Sequence, residues 1–170
     1  MTPMQRVAMG LVLVLLDASF NGWDLLADPL GWALVLAGVL PVTELLGGRV
    51  ALTAVLAFVT SLVVYPPAVV EALDPAVAWA LSLPHLAFVV LLCLALAERL
   101  ADFARRFRVV AVVMVVVGLA PVLVLGADLL VLAGALAFVA VVTQCYLVYL
   151  LFRVHRLVPG PGMAEPAVEG

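Results

Sequence analysis

The chain has 170 residues, 68% hydrophobic and 11% charged, with a mean hydropathy of +1.34 and a net charge of −3. A soluble domain is about half apolar and about a quarter charged. This composition excludes a globule covered by water and calls for lipid around much of the surface, and no nucleic-acid partner is expected.

Six apolar stretches follow one another, near residues 4–26, 29–46, 50–64, 76–97, 109–127 and 129–152. A membrane span needs about 20 residues, with a range of about 17–25. The third stretch is short and stops before Pro66-Pro67, so an irregular continuation through Val70 is expected. The Val-rich run from Val109 would read as a strand in water, but an open strand in hydrocarbon leaves its backbone unpaired, so helix is expected. Nothing alternates polar and apolar as a barrel would. The first stretch resembles a signal peptide, with Arg6 before the apolar run 7–16. However, Asp17 ends that run without a small-x-small cleavage site, so a retained first helix is expected.

The charges sort by position. Arg6 precedes the first stretch. The breaks then carry Asp24 and Asp28; Arg49; Glu71 and Asp74; Arg99, Arg105, Arg106 and Arg108; and Asp128. Arg153 and Arg156 follow the last stretch. All eight basic residues are arginine, a skew associated with GC-rich bacterial genomes. Arginine excess marks the cytoplasmic side. The expected fold is therefore an all-α polytopic bundle of six spans over residues 1–157, with both termini cytoplasmic, in a bacterial cytoplasmic membrane.

The acidic turns share a pattern. Asp28-Pro29 and Asp74-Pro75 place an N-capping carboxylate before a proline suited to the first helical position. Asp128 precedes the sixth stretch similarly. Three related hairpins are one explanation, and capping rules alone are another. The link 98–108 should extend the fourth helix along the inner leaflet. Leu100, Phe103, Ala104 and Phe107 would line one face, Asp102 would pair with Arg105 or Arg106, and the arginines would meet lipid phosphates. Arg99, Arg105, Arg106, Arg108, Arg153 and Arg156 are thus headgroup candidates, and Glu44 and His155 are inner-surface residues. The tail 158–170 is rich in Pro and Gly and should be disordered.

Few polar residues remain inside the spans. Asp17, Asn21, Asp24 and Asp28 follow a 4-3-4 spacing that would keep them on one face of a helix. A carboxylate at mid-helix costs about 2.5–3.5 kcal/mol on insertion scales, so Asp17 should face other helices. His85, directly after Pro84, is the one base at that depth and the expected partner, provided the first and fourth spans are neighbours. Gln144, Thr143, Thr60 and Ser61 complete the set. The competing reading makes each of them packing glue, bonded to a neighbouring backbone or helix. Asp17, Asn21, His85 and Gln144 form the candidate intramembrane polar site.

The segment 21–39, "NGWDLLADPLGWALVLAGV", resembles a signature of small uncharacterised bacterial membrane proteins. In these, an Asn/Asp-Gly-x-Asp pair precedes Leu-Pro-Asp and a Gly-Tyr or Gly-Trp that opens the second span. Asn21, Gly22, Asp24, Asp28, Gly31 and Trp32 match; Ala27 stands where proline is usual. The resemblance implies a multi-helix bacterial membrane protein and no defined activity.

No HExxH, GxSxG, glycine-rich phosphate loop or Asp-rich diphosphate motif occurs. Cys93 and Cys145 stand alone, without a CxxC pair, so neither zinc nor disulfide exchange is expected. The expectation is a non-catalytic structural or accessory component without metal or cofactor, packing in the bilayer with itself or a protein partner. The alternative is a small oligomeric transporter or channel using Asp17 and His85.

Overall fold

The computed structural model of the protein describes residues 1–16, 19–20, 23–24, 28–126 and 131–158. Eight α-helices are present among them: α1 (Pro3–Leu15), α2 (Asp28–Val39), α3 (Thr43–Leu46), α4 (Gly48–Val64), α5 (Pro67–Ala72), α6 (Pro75–Arg99), α7 (Ala104–Gly126) and α8 (Val131–Val154). Two 3-10 turns, Leu40–Val42 and Ala101–Phe103, bridge α2 to α3 and α6 to α7. Three segments are long and apolar enough to cross a membrane, Asp28–Leu46, Pro75–Arg99 and Gly134–Val154.

Six of the helices close a ring. α1 packs on α2, α2 on α4, α4 on α6, α6 on α7, α7 on α8, and α8 returns to α1. The tightest seam joins α1 to α2, which run antiparallel. A Cβ at Gly10 would lie 2.5 Å from the Gly31 carbonyl oxygen, and one at Gly38 would lie 2.6 Å from the Pro3 carbonyl oxygen. Backbone therefore meets backbone, as small residues permit in membrane helices. Arg6 adds a hydrogen bond from its guanidinium to the Ala37 carbonyl at 3.3 Å, meeting the negative end of α2.

The ring is filled unevenly. Fully buried side chains come from the start of α1, the end of α2, the start of α4, the end of α6, the start of α7 and the end of α8. Met4, Leu11, Val39, Phe88, Leu92 and Phe107 are among them. Apart from the end of α2, these are the helix ends that carry the arginines. Around Phe103 the packing becomes aromatic: Arg106 lies 5.6 Å and Arg153 5.7 Å from its ring centroid. One phenyl group thereby ties the start of α7 to the end of α8.

Local chemistry explains the ends. Thr2 and Gln5 form a capping box for α1: the Gln5 backbone N–H donates to Thr2 Oγ1 at 3.3 Å, and the Thr2 N–H donates to Gln5 Oε1 at 2.9 Å. Asp74 caps α6, its carboxylate accepting from the Ala76 N–H at 2.8 Å, with Pro75 in the first turn. Asp28 is the first residue of α2 rather than the one before it. Gly47, between α3 and α4, sits at φ +90° and ψ 146°, a conformation that side chains with a Cβ resist.

Three expectations are corrected. The first span does not run to residue 26: α1 ends at Leu15, and Ser19–Phe20 pairs antiparallel with Trp23–Asp24. The sequence between the paired strands is Asn21-Gly22, a dipeptide favoured in two-residue hairpins. Asp24 lies in a strand and Asp28 in α2, so these two do not share one helix face; Asp17 and Asn21 lie outside the described residues. Second, the link 98–108 is not an extension of the fourth helix. Leu100, at φ −114° and ψ 80°, breaks it, and Arg105, Arg106 and Arg108 belong to the start of α7. Leu100, Phe103, Ala104 and Phe107 do pack on the core. Third, the contact of Arg106 is with Phe103 and not with Asp102. The Pro66-Pro67 break falls as expected, with α4 stopping at Val64 and α5 continuing from Pro67.

Gly10→Ala should destabilise the bundle by about 1–3 kcal/mol, the usual cost of overpacking, because backbone atoms and not a flexible side chain stand in the way. Asp74→Ala should cost about 0.5–2 kcal/mol for the lost cap. Both are measured by reversible unfolding in mixed micelles.

Candidate functional site

Most hydroxyl groups in the spans are spent on their own helices. Thr60 donates to the Leu56 carbonyl at 3.0 Å, Ser61 to Phe58 at 2.7 Å, Ser82 to Trp79 at 2.7 Å and Thr143 to Val139 at 2.7 Å. Bonds of this kind let a hydroxyl sit in hydrocarbon without a tertiary partner. They remove these residues from consideration as a site.

What remains is a cluster drawn from three helices. His85 on α6 and Gln144 on α8 meet at 3.2 Å between their Nε2 atoms. Trp32 on α2 places its ring edge-on to His85, centroids 5.2 Å apart, and edge-on to Phe88 at 5.3 Å. The cluster lies where the dense apolar half gives way. Phe88 and Val89, the next turn of α6, are fully buried, whereas His85 keeps part of its surface open.

An amide NH2 only donates, so Gln144 donates to His85 Nε2 and the imidazole carries its proton on Nδ1. Gln144 is 4% exposed and the one buried polar residue among those described. Among the described residues, its Oε1 has no hydrogen-bond partner. Leaving such an atom unpaired costs about 1–3 kcal/mol. Turning the amide over would pair Oε1 with an Nε2–H and strand the NH2 instead, so one amide atom is left over in either orientation.

A second link holds α6 to α7 on the open side. Trp79 donates its indole N–H to the Gly118 carbonyl at 2.9 Å. Gly118 faces Leu86 so closely that a Cβ there would collide with its side chain. Pro121, inside α7, has no N–H for the Val117 carbonyl, which loosens the helix at this level.

Of the expected site residues, the structure brings His85 and Gln144 together. Asp17 and Asn21 lie outside the described residues, as do Asp128 and the tail 159–170. The neighbours of α1 are α2 and α8, and α6 sits between α4 and α7. The adjacency expected for an Asp17–His85 pair is therefore not the packing of the ring, and the hydrogen-bond partner of His85 is Gln144. Trp32 was missed as a site residue, although the Gly31-Trp32 pair marks it: glycine admits α1 and the indole fills the ring beside it. Among the described residues, no group of three or more His, Cys, Asp or Glu side chains comes together. The chain matches no family model, no curated protein and no solved structure.

The His85–Gln144 contact predicts coupled stability. His85→Phe should destabilise by about 1–3 kcal/mol, since it leaves the Gln144 NH2 without its partner as well as Oε1. Adding Gln144→Leu should recover part of that loss. The coupling energy in a double-mutant cycle should lie near 0.6 and no higher than about 1.7 kcal/mol, the range for bonds between membrane helices.

Proposed function

We propose that the protein is a non-catalytic structural or accessory component of the bacterial cytoplasmic membrane, with six spans and both termini inside. The carrying observation is the apolar plug across the arginine-bearing half of the ring. A polar solute moving through the ring would have to displace Met4, Leu11, Phe88, Leu92 and Phe107, all fully buried. A resting pore is disfavoured by such packing, and an accessory role that works through packing with itself or a membrane partner needs none.

The arginines support the threading. Arg6 reaches the end of α2, and Phe103 gathers Arg106 and Arg153, so charges distant in sequence occupy one end of the bundle. That end suits the cytoplasmic leaflet and its phosphates. α1, with 13 residues, reaches only about 20 Å at ~1.5 Å per residue, short of a hydrocarbon core about 30 Å thick. The resemblance of residues 21–39 to small bacterial membrane proteins supports the same location.

The second reading, a small transporter using Asp17 and His85, is favoured by one observation, the unpaired Gln144 Oε1 beside a half-buried imidazole. Flux separates the two. Proteoliposomes holding the purified protein should leak protons, sodium and small neutral solutes no faster than empty vesicles. Solute-specific uptake that His85→Phe abolishes would replace the accessory reading with the transporter. In the same preparation, single cysteines at Asp74 should label from outside and those at Arg49 and Arg105 should not.

A further inference from the structure

We propose that the seam between the start of α7 and the end of α8 binds the headgroup of one anionic phospholipid, through Arg153, Tyr149 and Arg106. The site rests on the reading that this end of the bundle meets lipid phosphates, and it names the lipid. Phe103 sits at the seam, with the Arg106 guanidinium over its ring at 5.6 Å and that of Arg153 at 5.7 Å. One phenyl group thus gathers two positive charges from two helices. Among the described residues neither is paired with a carboxylate, although Asp102 precedes Phe103 in the chain. A guanidinium held over a ring keeps its N–H edge for another partner. Arg153 spends one N–H on the Tyr149 hydroxyl oxygen at 3.2 Å. That hydroxyl accepts there, so its own proton remains to be donated. The other N–H groups of Arg153 and the O–H of Tyr149 are therefore neighbouring donors with no acceptor among the described residues. Their complement is an oxyanion.

The surroundings select a lipid over a soluble anion. Val142, Tyr146, Tyr149 and Arg153 follow a 4-3-4 spacing in one continuous helix, α8, and all four are exposed, so they form a stripe along its outer surface. Tyr146 and Tyr149 stack, with ring centroids 6.2 Å apart and planes 22° from parallel. The stripe runs from an apolar residue through two tyrosines to an arginine. A phospholipid has the same order, from acyl chain through glycerol to phosphate, and tyrosine favours that middle level of a membrane. A soluble anion would use the arginine and leave the rest of the stripe idle. The charge of the headgroup follows from α7. Arg105, Arg106 and Arg108 lie in its first two turns, and its first turn holds no acid. Three cations thereby crowd the positive end of a helix dipole. A net-negative headgroup relieves that crowding, whereas a zwitterionic one brings an ammonium group into it.

Native mass spectrometry of the full-length protein, stripped of lipid in detergent and titrated with one probe at a time, counts bound molecules. The probes are dioleoylphosphatidylglycerol, dioleoylphosphatidylcholine and inorganic phosphate, which share a phosphate and differ in net charge and acyl chains. Phosphatidylglycerol should add one molecule saturably, at least about tenfold more tightly than phosphatidylcholine, and inorganic phosphate should not displace it. Arg153→Gln should weaken that binding by about tenfold or more, as expected for a lost bond to a charged group. Arg106→Gln and Tyr149→Phe should each weaken it by about threefold to tenfold. Arg49→Gln removes the same charge from the start of α4, which packs on α2 and α6, and should leave binding unchanged. All four positions are exposed, so the substitutions spare the core. The proposal fails if no saturable adduct forms, if phosphatidylcholine binds equally, or if inorganic phosphate competes at equal concentration. It also fails if Arg49→Gln costs as much as Arg153→Gln, which would mean diffuse attraction to the basic end. A single cysteine at Arg105 that labels from outside would overturn the threading alone, because the lipid adduct reports the site in either orientation.

Discussion

The close approach of α1 to α2 is the constraint on which the remaining structure rests. Hydrocarbon offers apolar side chains no advantage in meeting each other rather than lipid, so helices in a membrane associate through fit and polar contacts. Gly10, Gly31 and Gly38 supply the fit by letting backbone atoms of the two helices touch. Arg6 supplies a polar contact at the Ala37 carbonyl. With α2 seated on one side of α1 and α8 on the other, α1 closes the ring. A wider α1–α2 spacing would also withdraw Trp32, the residue after Gly31, from His85 and Phe88.

The polar cluster follows from this arrangement and gains from its place in it. Trp32, His85 and Gln144 come from three helices, and no two of those helices are adjacent in the chain. The hydroxyl residues of the spans are satisfied within their own turns. An imidazole and a primary amide are too long and too polar to do the same, and each must look across the ring. They find each other, yet the amide has one atom more than the imidazole can serve. Beneath them the apolar plug keeps the arginine-bearing half dry. The ring therefore has a sealed end and a level where polarity is tolerated.

Much of the scaffold was legible in the residues. Composition required helices in lipid, and Pro66-Pro67 marked the end of α4. Asp74-Pro75 marked the start of α6, because a carboxylate and a proline act within one turn of their own positions. The capping box of Thr2 and Gln5 was equally readable and was overlooked, as was Asn21-Gly22 as a hairpin dipeptide. The error at the first span had a physical source. The 4-3-4 spacing of Asp17, Asn21, Asp24 and Asp28 satisfies helical periodicity, but Asp24 belongs to a strand pair, and periodicity alone cannot weigh helix against strand. At 98–108 the apolar face was read correctly, while the break at Leu100 was not, since Leu carries no breaking signal of its own.

The sequence by itself determined where the arginines and acids fall along the chain, how many apolar stretches there are, and where caps and prolines end them. These depend on neighbours within a few residues, or on the cost of placing charge in lipid. Only the tertiary structure decided that α6 lies between α4 and α7, that Gln144 and not an acid meets His85, and that Trp32 stands against them. Those facts depend on which helix is beside which. In an apolar chain that choice is made by a few glycines and by shape, for which Leu, Val and Ala in a hydropathy pattern are interchangeable.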